Sequence, residues 1–232
     1  MKIMTFNLQN NIFSESIDKG EKLVNFIKKE DIDIIGVQEL TYDLKLFLEN
    51  NLTDYYILGD SRYGNNKRLD EYNCILVKRK YKVLKCETFN LYYRRKHENF
   101  SVFPRICTFV NIDIDSKHLY IFNTHIDHLF NYTKGKQIEY LNSIINRYSD
   151  GFRVIMGDFN MNVNNKYFSN ILSNNLYDAC EMLHENTFKK WGKLPIDHIF
   201  LSNNISFSSI KVIRNINISD HLPVILDIDF KE

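Results

Sequence analysis

The sequence predicts an α/β protein in which two β-sheets pack against each other and are flanked by helices. Eleven short runs of apolar or alternating residues, each bounded by polar residues, are typical of strands. Segments with helical spacing of apolar residues occur in both halves of the chain, and strands outnumber helices by roughly two to one. Because both faces of each sheet must be covered, helices spread among so many strands favour two packed sheets with helices outside them.

The predicted elements follow one another along the whole chain. Strands are predicted at residues 2–8, 32–38, 54–58, 73–78, 81–86, 105–113, 118–125, 153–157, 196–201, 209–214 and 222–229. Asp18 begins one amphipathic segment and Thr41 begins another, and both residue types can cap the amino terminus of a helix. Further helices are predicted over residues 132–148 and 167–172. The polar insert at residues 60–72 is predicted to be a loop.

The composition excludes two broad classes of protein. With 44% hydrophobic and 14% aromatic residues in a chain of 232, the protein can bury a sizeable core and is not disordered. Its 30 basic and 29 acidic side chains leave a net charge of +1, so no overall positive field attracts nucleic acid or acidic membranes. Any site for a polyanion must therefore be local. No linker, block of like charge or repeat divides the sequence, which predicts one domain over residues 1–232.

The first residues predict a strand rather than a signal peptide, and no run of 18 apolar residues suits a transmembrane helix. We therefore expect a cytoplasmic protein that does not enter a membrane. We also expect a monomer. The four cysteines, Cys74, Cys86, Cys107 and Cys180, form no Cys-x-x-Cys pair and lie mostly in apolar runs. They are predicted to be reduced residues of the core.

Acidic and amide side chains follow two of the predicted strands at the point where each strand ends. Glu39 ends an apolar run, and a buried strand that delivers a carboxylate at its exit can coordinate a metal. Alternatively, Glu39 caps the helix that begins at Thr41. Asp158 and Asn160 lie two residues apart after another apolar run, so both side chains can point to one face. They can equally form an Asx-turn that ends the strand.

Two histidines lie beside strand ends, and nearby acids can orient them. His221 follows Asp220 just before a strand, and Asp197 at the start of another strand is suited to hold an imidazole in its protonated form. We therefore pair Asp197 with His221 as a group that acts on a phosphate. His125 follows a third strand, and the upstream acid Glu71 can orient its ring.

Five motifs lie at predicted strand ends: Thr5-Phe6-Asn7, Gln38-Glu39, Asn123-Thr124-His125, Gly157-Asp158-Phe159-Asn160 and Ser219-Asp220-His221-Leu222-Pro223. In their residues and their order the chain resembles, over essentially its full length, the endonuclease/exonuclease/phosphatase superfamily, which has the deoxyribonuclease I-like fold. The resemblance implies a four-layer α/β sandwich with two packed mixed sheets flanked by helices. It also implies that loops at one end of the sheets surround one or two Mg²⁺ ions, with Mn²⁺ as an alternative.

The resemblance assigns roles in metal and water binding to the acids and amides of these motifs. It implies that Glu39 is the principal metal ligand and that Asp220 and Asn7 complete or support the metal site. It also implies that Asp158 aligns or deprotonates the attacking water, while Asn160 orients that water and holds a phosphate oxygen. Oxygen ligands of this kind are suited to Mg²⁺.

The same resemblance assigns the basic groups to the phosphate. It implies that His221, held by Asp197, stabilises the transition state, because an imidazolium offsets the charge that accumulates on the nonbridging oxygens. His125, oriented by Glu71, would hold the other side of the phosphate or assist the leaving group. The segment around Arg105 is similar to an uncharacterised bacterial branch related to the poly(A) deadenylases, which assigns Arg105 to substrate binding. The alternative for Arg105 is an ion pair on the strand surface.

These roles imply a Mg²⁺-dependent phosphodiesterase, a nuclease-type hydrolase in which water attacks in line and the substrate is nucleic acid or a nucleotide. The alternatives are a phosphatase or phosphodiesterase for a lipid, sugar or nucleotide phosphate, and a catalytically silent binding protein. Basic and aromatic residues at 91–97 suit a single-stranded substrate, but also an exposed loop. Phe188 and Trp191 either wall the pocket or simply pack, and Asp127 and His128 are expected to brace their own loop.

Overall fold

In the part of the chain that the structure describes, twelve strands and four helices form the fold. A computed structural model of the chain describes residues 1–10, 17–64, 70–91, 101, 103–162, 164–183, 185–190 and 195–231. The strands are β1 (Lys2–Asn7), β2 (Ile34–Thr41), β3 (Tyr55–Leu58), β4 (Glu71–Lys78), β5 (Lys82–Asn90), β6 (Ile106–Ile114), β7 (Lys117–His125), β8 (Phe152–Asp158), β9 (Leu176–Asp178), β10 (Asp197–Ser202), β11 (Ile205–Val212) and β12 (Val224–Phe230). The helices are α1 (Ile17–Glu30), α2 (Tyr42–Asn51), α3 (Asn131–Ile145) and α4 (Phe168–Leu172), with short 3-10 turns at Asn146–Tyr148 and Ala179–Met182.

The strands are arranged in two mixed six-stranded sheets. The first sheet has the order β11-β12-β1-β2-β4-β3, and the second has the order β5-β6-β7-β8-β10-β9. The pairs β1–β2 and β7–β8 are parallel, and the other neighbouring strands are antiparallel. The predicted fold class, two packed mixed sheets flanked by helices, is confirmed.

Three apolar clusters explain the order of the layers. The first cluster lies between the two sheets. The second packs the outer face of the first sheet against α1 and α2, and the third packs the second sheet against α3 and α4. Successive residues of a strand face opposite sides of its sheet, so Ile34 joins the first cluster and Ile35 the second. The alternation therefore produces four layers, with the sheets inside and the helices outside.

The predicted strands are present with shifted ends, and the structure adds β9. This strand has three residues, too few for an alternating pattern to be recognised in the sequence. The prediction of a loop up to residue 72 is wrong at its end, because β4 begins at Glu71, where it pairs with Thr41 of β2. Thr41 also caps α2, and its hydroxyl accepts a hydrogen bond from Leu44 N at 3.4 Å.

Three of the four cysteines are buried as predicted, and all four thiols are free. The prediction is wrong for Cys86, which is exposed. Cys86 lies in β5, an edge strand of the second sheet with mostly exposed side chains. An apolar run on an edge strand is not covered as a central strand is.

Among the described residues, no helix combines the length and the apolarity that a membrane crossing requires. Leu91, the first residue of the basic and aromatic segment, is buried in the third apolar cluster. The rest of that segment, residues 92–97, and Trp191 lie outside the described residues.

A buried polar bridge joins the two sheets. Gln38 in β2 and Asn123 in β7 are fully buried, and Gln38 Nε2 donates to Asn123 Oδ1 at 2.6 Å. Asn123 Nδ2 donates to the carbonyl oxygens of Val37 and Cys74, at 2.9 Å in each case. Gly36 leaves room for the bridge, since a Cβ there would lie 2.8 Å from Asn123 Oδ1. Gln38 and Asn123 therefore hold the sheets together beside the strand ends that carry the motifs.

Candidate active site

The predicted site residues gather at one end of the two sheets. The parallel strands end there and their antiparallel neighbours begin there, so residues far apart in the sequence meet. The residues at or next to these strand ends are Asn7, Glu39, Glu71, Arg105, His125, Asp158, Asp197, Asp220 and His221. They surround a pocket of about 370 Å³, whose lining also includes Asn160. Asn7 and Asp197 are buried behind its wall.

Glu39 reaches the pocket through an irregularity in β2. The register of β2 and β4 shifts between Val37 and Leu40, where β2 carries one more residue than β4. Glu39 itself has a left-handed backbone with a φ of 54°, which is uncommon for a residue other than glycine. Its carboxylate accepts from Asn7 Nδ2 at 3.0 Å and from Asn10 N at 2.8 Å. Strained backbone that is held by such contacts is typical of functional sites.

Asp158 lies at the centre of the site and is almost fully buried. Its Oδ2 is 3.5 Å from His125 Nε2 and 3.6 Å from His221 Nε2, and accepts from Asn7 Nδ2 at 2.9 Å. Burial raises the pKa of this carboxyl to about 6, although the charge of His221 acts to lower it. A carboxyl with a pKa near the working pH is suited to act as a general base.

Asn160 is fixed close to Asp158 by three contacts. Its backbone N–H donates to Asp158 Oδ1 at 2.9 Å, which is the Asx-turn considered above, and its φ is 50°. Its side-chain Nδ2 donates to the carbonyl of Ile126 at 3.0 Å. The ammonium group of Lys134, a buried residue of α3, donates to the carbonyl of Asn160 at 3.0 Å. The turn and the pocket position are therefore compatible, because the turn holds both residues at the pocket.

His221 is held by Asp197, and the predicted contact between them is present. His221 Nδ1 lies 2.9 Å from Asp197 Oδ2. The hydroxyl of Thr187 accepts from the Asp197 backbone N–H at 3.1 Å, and the Phe188 ring packs 4.8 Å from the imidazole. Burial alone lowers the pKa of His221, but the charges of Asp197 and Asp158 outweigh burial and raise it to about 10. His221 is therefore an imidazolium at neutral pH.

His125 has the opposite character. It is buried, and among the described residues its Nδ1 has no hydrogen-bond partner, although Glu39 Oε1 lies 3.8 Å away. Burial, and then the charges of Arg105 and Arg62, hold its pKa well below the usual range. His125 is therefore a neutral imidazole, and the two histidines that flank Asp158 differ in charge.

Glu71 lies beside Arg62 and not beside His125. Glu71 Oε2 forms an ion pair with the Arg62 guanidinium, and Glu71 Oε1 accepts from Asn10 Nδ2 at 3.1 Å. The backbone explains this pairing, because Arg62 N donates to the Glu71 carbonyl at 2.9 Å and so brings the two side chains together. The contact of Glu71 with His125 that the sequence predicts is not formed. Glu71 nevertheless lines the same pocket.

Arg105 is a buried residue of the pocket wall, which does not fit a surface ion pair. Its Nη2 donates to His128 Nδ1 at 3.0 Å, and its Nε has no partner among the described residues. Because a guanidinium only donates, His128 Nδ1 must be the acceptor. Asp127 accepts from the backbone N–H groups of Leu129 and Phe130, at 2.8 and 3.0 Å, and so braces the loop.

Asp220 and Asn7 take different positions around Glu39. Asp220 lines the pocket, and its Oδ2 lies 2.9 Å from Lys190 Nζ. Asn7 presents its NH₂ group to Glu39 and Asp158, while its Oδ1 accepts from Gln9 N at 2.9 Å. In this orientation Asn7 supports the two acids as a hydrogen-bond donor, and its side-chain oxygen is directed to Gln9 N.

The chemistry of these donors fits a divalent metal ion. Ligand atoms of Glu39, His125 and Asp158 lie within 4.8 Å of one another, and among the described residues His125 Nδ1 has no hydrogen-bond partner. Carboxylate oxygens are the ligands that hard cations such as Mg²⁺ prefer, and Asp220 adds a further carboxylate to the same pocket. The residues present therefore suit the metal that the sequence predicts.

Several pocket residues were not predicted from the sequence. They are Gln9, Asn10, Arg62 and Phe103, with Lys134 behind the pocket. Arg62, Phe103 and Lys134 come from loops or a helix, where no apolar run precedes them as a signal. Gln9 and Asn10 follow β1, and the apolar run that forms this strand could have indicated them. His198, for which the sequence predicts no role, lies away from the pocket. Its ring nitrogens contact Asp178 Oδ2 at 2.7 Å and the Met161 carbonyl at 2.8 Å.

The protein is an α/β sandwich in which a buried acid lies between two histidines at one end of the sheets. This combination of fold and site is typical of phosphoester hydrolases. The sequence model of the Endonuclease/Exonuclease/phosphatase family matches residues 4–221. The chain belongs to this family, whose members hydrolyse phosphoester bonds and generally depend on a divalent metal. The resemblance of the five motifs is thereby confirmed.

Solved structures share the fold over nearly the whole chain. An endonuclease/exonuclease/phosphatase protein of Bacteroides vulgatus is 22% identical with a TM-score of 0.88, covering 99% of this chain and 98% of that one. A mannosyl-6-phosphatase of Bacteroides thetaiotaomicron is 20% identical with a TM-score of 0.85, covering 99% and 100%. TDP2 of D. rerio, complexed with single-strand DNA product, is 15% identical with a TM-score of 0.82, covering 99% and 98%. Comparison with the curated proteins found no match.

Proposed function

We propose that the protein is a divalent-metal-dependent phosphodiesterase that hydrolyses nucleic acid or a nucleotide by in-line attack of water. One observation carries the proposal: Asp158 Oδ2 lies between a cationic His221 and a neutral His125, at 3.6 and 3.5 Å. A buried base with one charged and one uncharged imidazole beside it suits an attack on a phosphate that accumulates negative charge. Glu39 and Asp220 place further carboxylates at the same pocket.

The reaction follows from what each side chain can do. Asp158 orients the attacking water and takes its proton as the new bond to phosphorus forms and the bond from phosphorus to the leaving oxygen breaks. The leaving oxygen departs with the electron pair of that bond and takes a proton from water. His221 donates a hydrogen bond to a nonbridging oxygen and offsets its growing charge, and Asp197 keeps the ring protonated. Asn160 orients the water and holds a phosphate oxygen. Neutral His125 holds the other side of the phosphate.

The proposed metal is Mg²⁺, with Mn²⁺ as the alternative. Glu39 would be its main ligand and Asp220 a further one, and Asn7 would keep the acids in place by donating to Glu39 and Asp158. When bound, the cation supplies positive charge to the phosphate oxygens. We also propose that Arg105 contacts the substrate.

A second candidate is a phosphatase for a sugar, lipid or nucleotide phosphate. The pocket volume of about 370 Å³ favours it, because this value lies near the low end of the range for small-molecule sites, about 300–1,000 Å³. The structural neighbour described as a mannosyl-6-phosphatase also supports it. The neighbour complexed with single-strand DNA product supports the nuclease.

The test is a turnover assay with single-stranded DNA, RNA, bis-p-nitrophenyl phosphate and the monoester p-nitrophenyl phosphate, in Mg²⁺, Mn²⁺ or EDTA. We expect cleavage that EDTA abolishes and that Asp158→Asn lowers by about 10²- to 10³-fold. Asp229→Asn, the same change at an exposed acid of β12, is the control and should leave the rate unchanged. Near-normal activity of Asp158→Asn would reject the assignment. Turnover of phosphate monoesters alone would favour the second candidate, and substrate binding without turnover would favour a silent binding protein.

A further inference from the structure

The proposed mechanism places one phosphate between His221 and His125, and it gives the basic side of the pocket no role other than a contact of Arg105 with the substrate. That side consists of Arg62, Arg105 and His128, and the Phe103 ring lies against it. Arg105 is 4% exposed, contacts His128 through Nη2 only, and leaves Nε unpartnered. Among the described residues no carboxylate forms an ion pair with Arg105. Burial is costly for this guanidinium, because the charges of Asp158, Asp127 and Glu39 favour it from a distance but none of these carboxylates forms an ion pair with it.

Arg62 adds a second positive charge at the same place. Its side chain is 9% exposed, and its guanidinium lies 5.3 Å from the centre of the Phe103 ring. Glu71 pairs with Arg62, but nothing comparable pairs with Arg105. Burial, and then the positive charge of Arg105, lower the pKa of Arg62 to about 10. Two buried guanidinium groups therefore line the same pocket, and an anion bound between them would offset their mutual repulsion.

The two arginines lie apart from His221, the cation that the mechanism places at the phosphate. Asp158 has His221 and Asp197 on one side and His125 on the other. Arg105 lies next to the start of β6, and the order β6-β7-β8-β10 in the second sheet puts it on the His125 side of Asp158, opposite Asp197. A phosphate held by His221, Asn160 and His125 thus leaves the arginine side, beyond His125, free for another group.

We propose that Arg62, Arg105 and His128 form a subsite for a second phosphoryl group, so that the preferred substrate carries two phosphates. The proposal rests on the function proposed above, which supplies the first phosphate. Planar guanidinium groups bind phosphate oxygens with paired hydrogen bonds, and the free Nε of Arg105 provides one such donor. The pocket volume of about 370 Å³ suits a compact unit, such as a nucleotide with a second phosphate or, for the phosphatase candidate, a sugar bisphosphate, more than a long polymer segment.

The experiment measures binding, so that its result is independent of turnover. Ca²⁺ replaces Mg²⁺, and isothermal titration compares adenosine 3′,5′-bisphosphate with adenosine 5′-monophosphate, and fructose 1,6-bisphosphate with fructose 6-phosphate. We expect the bisphosphate of at least one pair to bind about tenfold more tightly than its monophosphate. The two pairs separate a nucleotide source from a sugar source. If the protein hydrolyses no phosphoester, the proposed function fails, while the binding preference is still measured.

Substitutions locate the subsite. Arg62→Gln should remove most of the preference for the bisphosphate, and His128→Gln, at an exposed position that does not threaten folding, should reduce it. Arg79→Gln makes the same change at an exposed residue beyond the other end of β4, and the preference should persist. If the unmodified protein binds the bisphosphate and the monophosphate equally well in both pairs, the proposal is overturned. A preference that survives both substitutions, or an equal loss of affinity for both ligands in Arg62→Gln, would overturn it as well.

Discussion

Two identical side chains acquire different charges because their surroundings differ. His221 and His125 lie 3.6 and 3.5 Å from the same carboxylate oxygen of Asp158. His221 also contacts Asp197, which outweighs burial and raises its pKa to about 10. His125 has no such acid on Nδ1, so burial and the arginine charges lower its pKa. The contact to Asp197 therefore decides which histidine is the cation.

This difference predicts the pH dependence of the rate. As the proposed base, Asp158 acts only when ionised, and burial raises its pKa to about 6, so kcat/KM should rise through about pH 6. As the proposed group that stabilises charge, His221 acts only when protonated, so the rate should fall as the pH passes about 10. Asp197→Asn removes the charge that favours the imidazolium, so the falling limb should move to lower pH. A pH series of kcat/KM checks this, with Asp229→Asn as the control. If Asp197→Asn leaves the falling limb at the same pH, the loss of rate at high pH is not caused by deprotonation of His221.

Within β10, the two-residue period of a strand separates a residue of the proposed site from a residue of the core. Asp197 and His198 are neighbours in β10, and their side chains face opposite sides of the second sheet. Asp197 meets His221, whereas His198 packs among Phe159, Phe168 and Phe200. Both nitrogens of His198 face acceptors, so both must donate and the ring carries a charge.

Replacement of His198 should destabilise the fold in a pH-dependent way. Burial alone lowers the pKa of His198, but Asp178 outweighs burial and raises it. His198→Gln leaves the buried Asp178 carboxylate without its cation and should cost about 3–5 kcal/mol. Since the folded pKa exceeds the unfolded one, the contribution is fully present below the unfolded pKa, about 6.5, and declines as the pH rises through the folded pKa.

Urea unfolding of both proteins at about pH 6 and about pH 9 measures this effect, and the difference in free energy of unfolding should be larger at the lower pH. His118→Gln, at an exposed histidine of β7, is the matched control and should change stability by less than about 0.5 kcal/mol. An effect of His198→Gln that is equal at both pH values would show that the ring acts by packing and not by charge.

The strands and the motif residues could be predicted because both depend on local patterns. Apolar alternation marks a central strand, and Glu39, Asp158 and His221 follow or precede such runs directly. Pairings that depend on a loop could not be predicted. Glu71 contacts Arg62, which lies in a polar insert without periodicity, and for that reason its expected contact with His125 was wrong. β9 was missed for a similar reason, because three residues form no pattern.

The site as a whole depends on how the two sheets are held against each other. Asn7 and Glu39 belong to the first sheet, whereas His125 and Asp158 belong to the second. Asn7 Nδ2 donates to Asp158 and so joins the two sheets. The Ser219 hydroxyl donates to the Asn7 carbonyl and holds Asn7 in place. A small slip of one sheet would therefore separate the proposed metal ligand from the proposed base, and catalysis is sensitive to displacements of about 1 Å.

The bridge between Gln38 and Asn123 should act as one unit that holds this alignment. Either single change, Gln38→Leu or Asn123→Leu, leaves the partner buried with unmade hydrogen bonds and should cost about 2–4 kcal/mol. The double variant should cost less than the sum of the two by about 1–2 kcal/mol, because it leaves fewer polar groups unpaired. Urea unfolding of the four proteins measures this coupling. Gln38→Leu combined with His118→Gln, a change at an exposed site, should be additive, and additivity of the bridge pair itself would show that the two amides act independently.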